Sequence, residues 1–100
     1  MNMQQMMMQA QKMQRELQKA QKALSEKEFR VNKAGLVEIV VLGSKEIVSI
    51  NIEEDGYEKD NKEMVEELIV SGLNELFAQI DEESEEISER ITGRSGSFGF

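Results

Sequence analysis

The 100-residue chain has neither cysteine nor histidine. Without cysteine there are no disulfides, no thiol catalysis and no thiolate metal sites. Without histidine there is no imidazole to act as base, proton shuttle or metal ligand. Most hydrolytic and redox mechanisms fall with these two residues, and no other cluster reads as an active site. Aromatic residues make up only 5% of the chain, so a large ligand pocket would lack its usual lining. An enzyme, a cofactor and a small-molecule substrate are therefore not expected. No stretch approaches the roughly 20 apolar residues of a membrane span. The Met-rich opening MNMQQMMMQAQ is broken by glutamines and has no charged start, unlike a secretory signal. A cytoplasmic address is expected.

What is present suits a small binding protein. Hydrophobic residues at 39% and charged residues at 32% describe one globular domain with a wide solvated surface. A core this small favours stability shared with a second copy. The net charge of −8 is unevenly distributed. Residues 1–33 hold seven Lys/Arg and three Glu, giving +4. Residues 34–60 hold two basic and seven acidic groups, and residues 61–92 hold two basic and ten acidic, giving −5 and −8. Arg94 adds +1. An acidic chain with a basic N-terminal third is polarised, and that polarity points to function.

From Met3 to about Glu26 the composition predicts one helix, rich in Gln, Met, Leu, Ala and Lys with no Gly or Pro. Met3, Met6, Ala10, Met13, Leu17, Ala20 and Leu24 are spaced 3, 4, 3, 4, 3, 4, a heptad seam suited to another helix. Met6, Met13, Leu17 and Leu24 are its expected helix-seam and dimer contacts. The middle of the chain changes period. Residues 28–31, 36–42 and 46–52 read as three strands, with turns at residues 32–35 and 43–45. In the third strand Val48, Ile50 and Ile52 alternate with Ser49 and Asn51. Short connections make these strands an antiparallel meander whose open edges invite pairing with a second copy.

Residues 53–60 read as an acidic loop, and Asp60 with Glu63 as a capping box opening a second long helix. That helix runs to about Ile91 or Thr92 and ends at Gly93. Its Met64, Val65, Leu68, Ile69, Leu73, Leu76, Phe77 and Ile80 form a broad face to cover the sheet. The domain is expected to span residues 1–92, with RSGSFGF inside a flexible tail over 93–100. The two helices, about 36 and 48 Å long, exceed a globule of about 13 Å radius of gyration, so parts of them must project or pack on a partner.

Lys12, Arg15, Lys19 and Lys22 recur at 3, 4 and 3 on the first helix, within about 80° of one another and facing away from the seam. Lys27, Arg30 and Lys33 continue the positive charge into the first strand. A linear array of cations on a projecting helix can track the phosphates of duplex DNA. The bland alternative is an ordinary solvated face. Glu82, Glu85, Glu86 and Glu89 share a face of the second helix, but exposed carboxylates with nothing to desolvate them are neither a metal site nor an acid–base pair. The rival to DNA binding is a protein-interaction adaptor that uses the Met-rich seam to hold another helix.

Three segments carry a resemblance. AGLVEIVVLGSKEIVSINIEE (34–54), DNKEMVEELIVSGLNELFAQIDE (60–82) and the opening helix MMMQAQKMQRELQKAQKAL resemble the YbaB/EbfC nucleoid-associated protein family. The resemblance implies an α+β protomer ordered α-β-β-β-α, a tweezer-shaped homodimer with helices projecting from a shared sheet, and a bacterial role bound to duplex DNA in the nucleoid. It implies DNA contacts from Lys12, Arg15, Lys19 and Lys22, with Arg94 a weak addition. The chain departs from the family in several places. Residues 61–92 carry only Lys62 and Arg90 against ten acids, and Glu38 stands where Lys is common. The Pro that often follows the third strand is missing, and RSGSFGF replaces a Pro-containing tail.

Overall fold

Twenty-four residues free of glycine and proline wind into one uninterrupted helix, α1 (Met3–Glu26). The structure, a computed structural model, describes residues 2–93. The helix opens on a reciprocal cap. The Gln5 N–H donates to Asn2 Oδ1 at 2.8 Å, and the Asn2 N–H donates to Gln5 Oε1 at 3.3 Å. Asn followed three residues later by Gln is the readable signal for this cap.

Three strands follow, β1 (Glu28–Lys33), β2 (Val37–Leu42) and β3 (Ile47–Ile52), antiparallel and in the order β1-β2-β3. β1 runs two residues past its expected end, because Asn32 and Lys33 pair with Glu38 and Val37. The turn moves with it to residues 34–36, where Ala34 and Gly35 both have positive φ, 58° and 68°. The Gly35 N–H donates to Asn32 Oδ1 at 3.0 Å and steadies the turn.

Partners directly across a ladder share a face. The inner face therefore holds Phe29, Val31 and Lys33 with Val41, Ile39 and Val37, and adds Ile50 and Ile52 from β3. Strict alternation fails in β3. Pairing jumps from Val40↔Ser49 to Val41↔Ile47, leaving Val48 as the extra residue of a bulge. Val48 thus does not line up with Ile50 and Ile52 as expected, and it stays 51% exposed.

Residues 53–60 are not plain loop. They enter two short 3-10 turns, Glu54–Tyr57 and Lys59–Asn61, that lead straight into α2 (Lys62–Thr92). The expected capping box at Asp60 and Glu63 does not form. An N-cap residue normally sits in extended backbone, whereas Asp60 is already wound into a turn. Asn61 takes the cap position without a side-chain bond, and its amide donates to the Asp55 carbonyl at 2.8 Å.

The first half of α2 covers the sheet. Val65, Leu76 and Ile80 are buried with Leu24, Phe29, Val37, Ile39 and Val41 in one core. Gly72 sets how closely the helix approaches, since a Cβ there would lie 2.7 Å from Ile39 Cδ1. Gly72→Ala gains helix propensity of about 1 kcal/mol but overpacks a fully buried contact at about 1–3 kcal/mol. A net loss of about 1 kcal/mol is expected, read as a melting temperature lower by about 4–8 °C. An unchanged or higher value would mean the helix can lift off the sheet without cost.

The second half of α2 runs beyond the sheet and lies antiparallel to α1. Gln21 donates to the Ser84 carbonyl at 3.1 Å, and the Ser84 hydroxyl donates to Gln21 Oε1 at 3.1 Å. Lys27 Nζ reaches Glu83 Oε1 at 2.8 Å. Nearer the start of α1, Ala10, Met13 and Leu17 share a groove with Thr92. At the other end, the β2–β3 turn docks on the end of α1. The Gly43 N–H donates to the Lys27 carbonyl at 2.9 Å and the Ser44 N–H to the Ser25 carbonyl at 3.1 Å. Among the described residues nothing covers the first turns of α1 in this way, and the molecule extends over 69 × 22 × 15 Å with a radius of gyration of 19.2 Å.

Candidate nucleic-acid interface

The heptad seam is divided by the fold. Leu24 is buried in the core, and Leu17 and Ala20 are half-buried along α2. Met6 and Met13 stay exposed, at 57% and 39%. The seam is suited to another helix, and along its C-terminal half that helix is the chain's own α2. Ile87 is the reason, since it packs against the core from α2. Among the described residues, only the half from Met3 to Met13 is left open to another molecule.

Pairing through apolar stripes decides where the charges point. At about 100° per residue, Lys12, Arg15, Lys19 and Lys22 lie on the side of α1 opposite Leu17 and Leu24. All four are exposed. On α2 the same geometry places Glu82, Glu85, Glu86 and Glu89 on the side opposite Ile80, Ile87 and Ile91, and all four are exposed. The helix pair is thus cationic on one outer side and anionic on the other. These four acids of α2 are turned away from the cationic side, on which Glu26 is the one acid within the arc of the cations.

Ion pairing sorts the cations further. Lys27 pairs with Glu83, and its Nζ also lies 5.0 Å from the Phe29 ring centroid. Arg30 bridges Glu28 at 3.3 Å and Glu38 at 3.0 Å, Lys33 meets Glu75 at 2.9 Å and Lys45 meets Asp81 at 2.7 Å. Among the described residues, Lys12, Arg15, Lys19 and Lys22 form no ion pair. The positive charge that Lys27, Arg30 and Lys33 carry on from the stripe therefore faces carboxylates, from α2 at Lys27 and Lys33 and from β1 and β2 at Arg30. Arg94, the remaining predicted contact, lies outside the described residues. Sequence reasoning also missed Gln21, whose paired bonds to Ser84 fix the helix register. Its phase beside Leu17 and Leu24 was the available signal.

The described residues hold no group of three or more acidic side chains placed for a metal ion, and no helix long and apolar enough to cross a membrane.

The model of the YbaB/EbfC DNA-binding family matches residues 1–95. The chain belongs to that family. It is 43% identical over 94 residues to a nucleoid-associated protein of Clostridium novyi, covering 93% of this chain and 82% of the relative. It is 37% identical over 100 residues to a nucleoid-associated protein of Mycoplasmopsis pulmonis, covering 100% and 97%. A crystal structure of an uncharacterized Helicobacter pylori protein superposes with a TM-score of 0.76 at 18% identity, covering 93% of this chain and 99% of that one. The α-β-β-β-α order expected from the sequence is thus found in the structure and shared by a solved fold.

Proposed function

We propose that this chain is a nucleoid-associated protein that binds duplex DNA as a homodimer, chiefly through phosphate contacts from the basic face of α1. One observation carries the reading. Among the described residues, four cations on one exposed helical face form no ion pair, while the cations of β1 and the β2–β3 turn are paired in place. Free cations can exchange their counterions for phosphates, whereas paired ones must first lose a carboxylate. The net charge of −8 per chain opposes DNA approach at long range. Screening over about 8–10 Å weakens that opposition, and the acidic face of α2 points the other way.

Two open surfaces support the homodimer. β3 is an edge strand with Ile47, Val48 and Ile50 between 39% and 51% exposed, the kind of edge that pairs with another chain. The open half of the seam adds Met3, Met6 and Met13. Two copies present at most eight stripe cations, so the slope of log K against log salt should be no steeper than about −7. Fluorescence anisotropy of labelled duplex DNA between about 50 and 200 mM salt measures it, with sedimentation fixing the oligomeric state. An affinity indifferent to salt would refute the phosphate mechanism.

The adaptor reading retains one observation in its favour, the exposure of Met3, Met6, Met7, Met8 and Met13 together on one helix. Methionine surfaces adapt to varied partners. If a second copy buries Met6 and Met13 in solution, that reading loses its binding surface.

A further inference from the structure

Beyond the four cations, the outward face of α1 continues for two more turns with a different chemistry. At about 100° per residue, Gln4, Met8 and Gln11 fall in the same arc of about 100° as Lys12, Arg15, Lys19 and Lys22. Gln5, Met8, Gln9, Gln11, Lys12 and Arg15 line one shallow groove there, with Gln4 just beyond it. Met8 is 63% exposed and contributes nothing to the seam. Of the glutamines of α1, helical phase places Gln4 and Gln11 on this arc and Gln9 and Gln14 off it. Gln5 is held in the N-terminal cap and Gln21 on Ser84, while the side chains of Gln4 and Gln11 hold no hydrogen bond to the protein among the described residues. No carboxylate lies between Asn2 and Arg15, so nothing on this segment repels a polyanion.

The face is therefore graded along its length, with cations toward the globule and amides around one thioether toward the tip. We infer that the tip of α1 enters the major groove and reads A·T base pairs directly, through Gln4 and Gln11 on adenine and Met8 on the thymine methyl. This rests on the DNA-binding reading above and extends it to sequence preference. A glutamine amide both donates and accepts, so it matches the N6/N7 edge of adenine, while guanine offers two acceptors best met by a cation. An exposed apolar side chain between two amides fits the thymine methyl, the only apolar group on the major-groove edge of the base pairs. Dimensions agree. An α-helix of about 10–12 Å diameter fits a groove about 12 Å wide. Gln4 to Gln11 spans about 10 Å, or about three base-pair steps. The stripe below then meets phosphates where the helix leaves the groove, as when a recognition helix uses its N-terminal residues on base edges.

Anisotropy with labelled duplexes of equal length, A·T-rich or G·C-rich, tests this on the full chain at low salt. The wild type should prefer the A·T duplex by at least about 5-fold. Deoxyuridine in place of thymidine removes only the methyl and should weaken binding by about 4-fold. 7-Deazaadenine, which removes the N7 acceptor, should weaken it also. The Gln4→Ala/Met8→Ala/Gln11→Ala variant, built on exposed helical positions where alanine is well tolerated, should bind both duplexes equally and keep the salt dependence. Salt-sensitive binding without A·T preference would overturn the inference and leave the phosphate reading standing. A preference that survives in the triple variant, or is indifferent to both base analogues, would assign the discrimination to duplex shape and likewise overturn it. Binding to neither duplex would overturn both readings.

Discussion

Replacing Lys12, Arg15, Lys19 and Lys22 together with glutamine is expected to weaken duplex DNA binding by at least about 100-fold at low salt and to flatten the salt dependence toward zero. Up to eight phosphate contacts per pair of copies disappear with these side chains, and no other free cationic array of this length exists on the described surface. Little else should change. The four side chains are exposed and form no ion pair among the described residues, and glutamine is close to lysine and arginine in helix propensity. Stability should stay within about 0.5 kcal/mol of wild type, so a binding loss cannot be charged to unfolding.

The informative control removes the same number of charges from the paired set, Lys27, Arg30, Lys33 and Lys45. The net charge shifts equally, but these cations already face carboxylates within 3.3 Å. The exposed pairs of Lys27, Arg30 and Lys45 contribute about 0–1 kcal/mol each to stability, Lys33 is only 25% exposed, and the loss of DNA affinity should be far smaller. Equal losses in the two variants would mean that net charge governs binding and that the face of α1 has no special part in it.

The largest expected effect on folding comes from a single methyl group. A Cβ on Gly43 would stand 1.8 Å from the Leu24 carbonyl oxygen and 2.6 Å from its carbon. Both atoms belong to backbone, so no side chain can swing away. Gly43→Ala must therefore push the β2–β3 turn off the end of α1. That movement breaks the Gly43–Lys27 and Ser44–Ser25 hydrogen bonds and shifts Leu24 in the core. Overpacking at about 1–3 kcal/mol and two lost backbone bonds at about 1 kcal/mol each give a loss of about 3–5 kcal/mol. Such a loss is a large share of the about 5–15 kcal/mol typical of a small domain. Thermal or urea unfolding followed by circular dichroism measures it, with a melting temperature at least about 12 °C below wild type expected. A shift of only a degree or two would show that the turn is not held against the helix. The same turn fixes the direction in which α1 leaves the sheet, so weakened DNA binding should accompany the loss of stability.

Local rules made several elements readable. Twenty-four residues with no helix breaker, followed by alternating β-branched runs and then a second apolar helix, specify α-β-β-β-α because each signal acts within a few residues. The basic stripe was readable for the same reason, since Lys12 to Lys22 is a matter of helical phase. The misplaced details all depend on a neighbour elsewhere in the chain. Val48 leaves the line of Ile50 and Ile52 because β2 pairs across a bulge. Asp60 loses its expected cap because the preceding turn is already wound.

Sequence by itself determined which residues form helix, which form strand, and which side of α1 carries the cations, because periodicity and composition need no partner. Only the tertiary structure decided which of those cations are free. Lys33 meets Glu75 and Lys27 meets Glu83 across 42 and 56 residues, distances along the chain that no local pattern reports. It also decided that α2 covers the lower half of the methionine–leucine seam and leaves the upper half open. Burying Leu24 beside Ile80 requires the two helices to lie together, and that demand comes from the shared core, not from either helix alone.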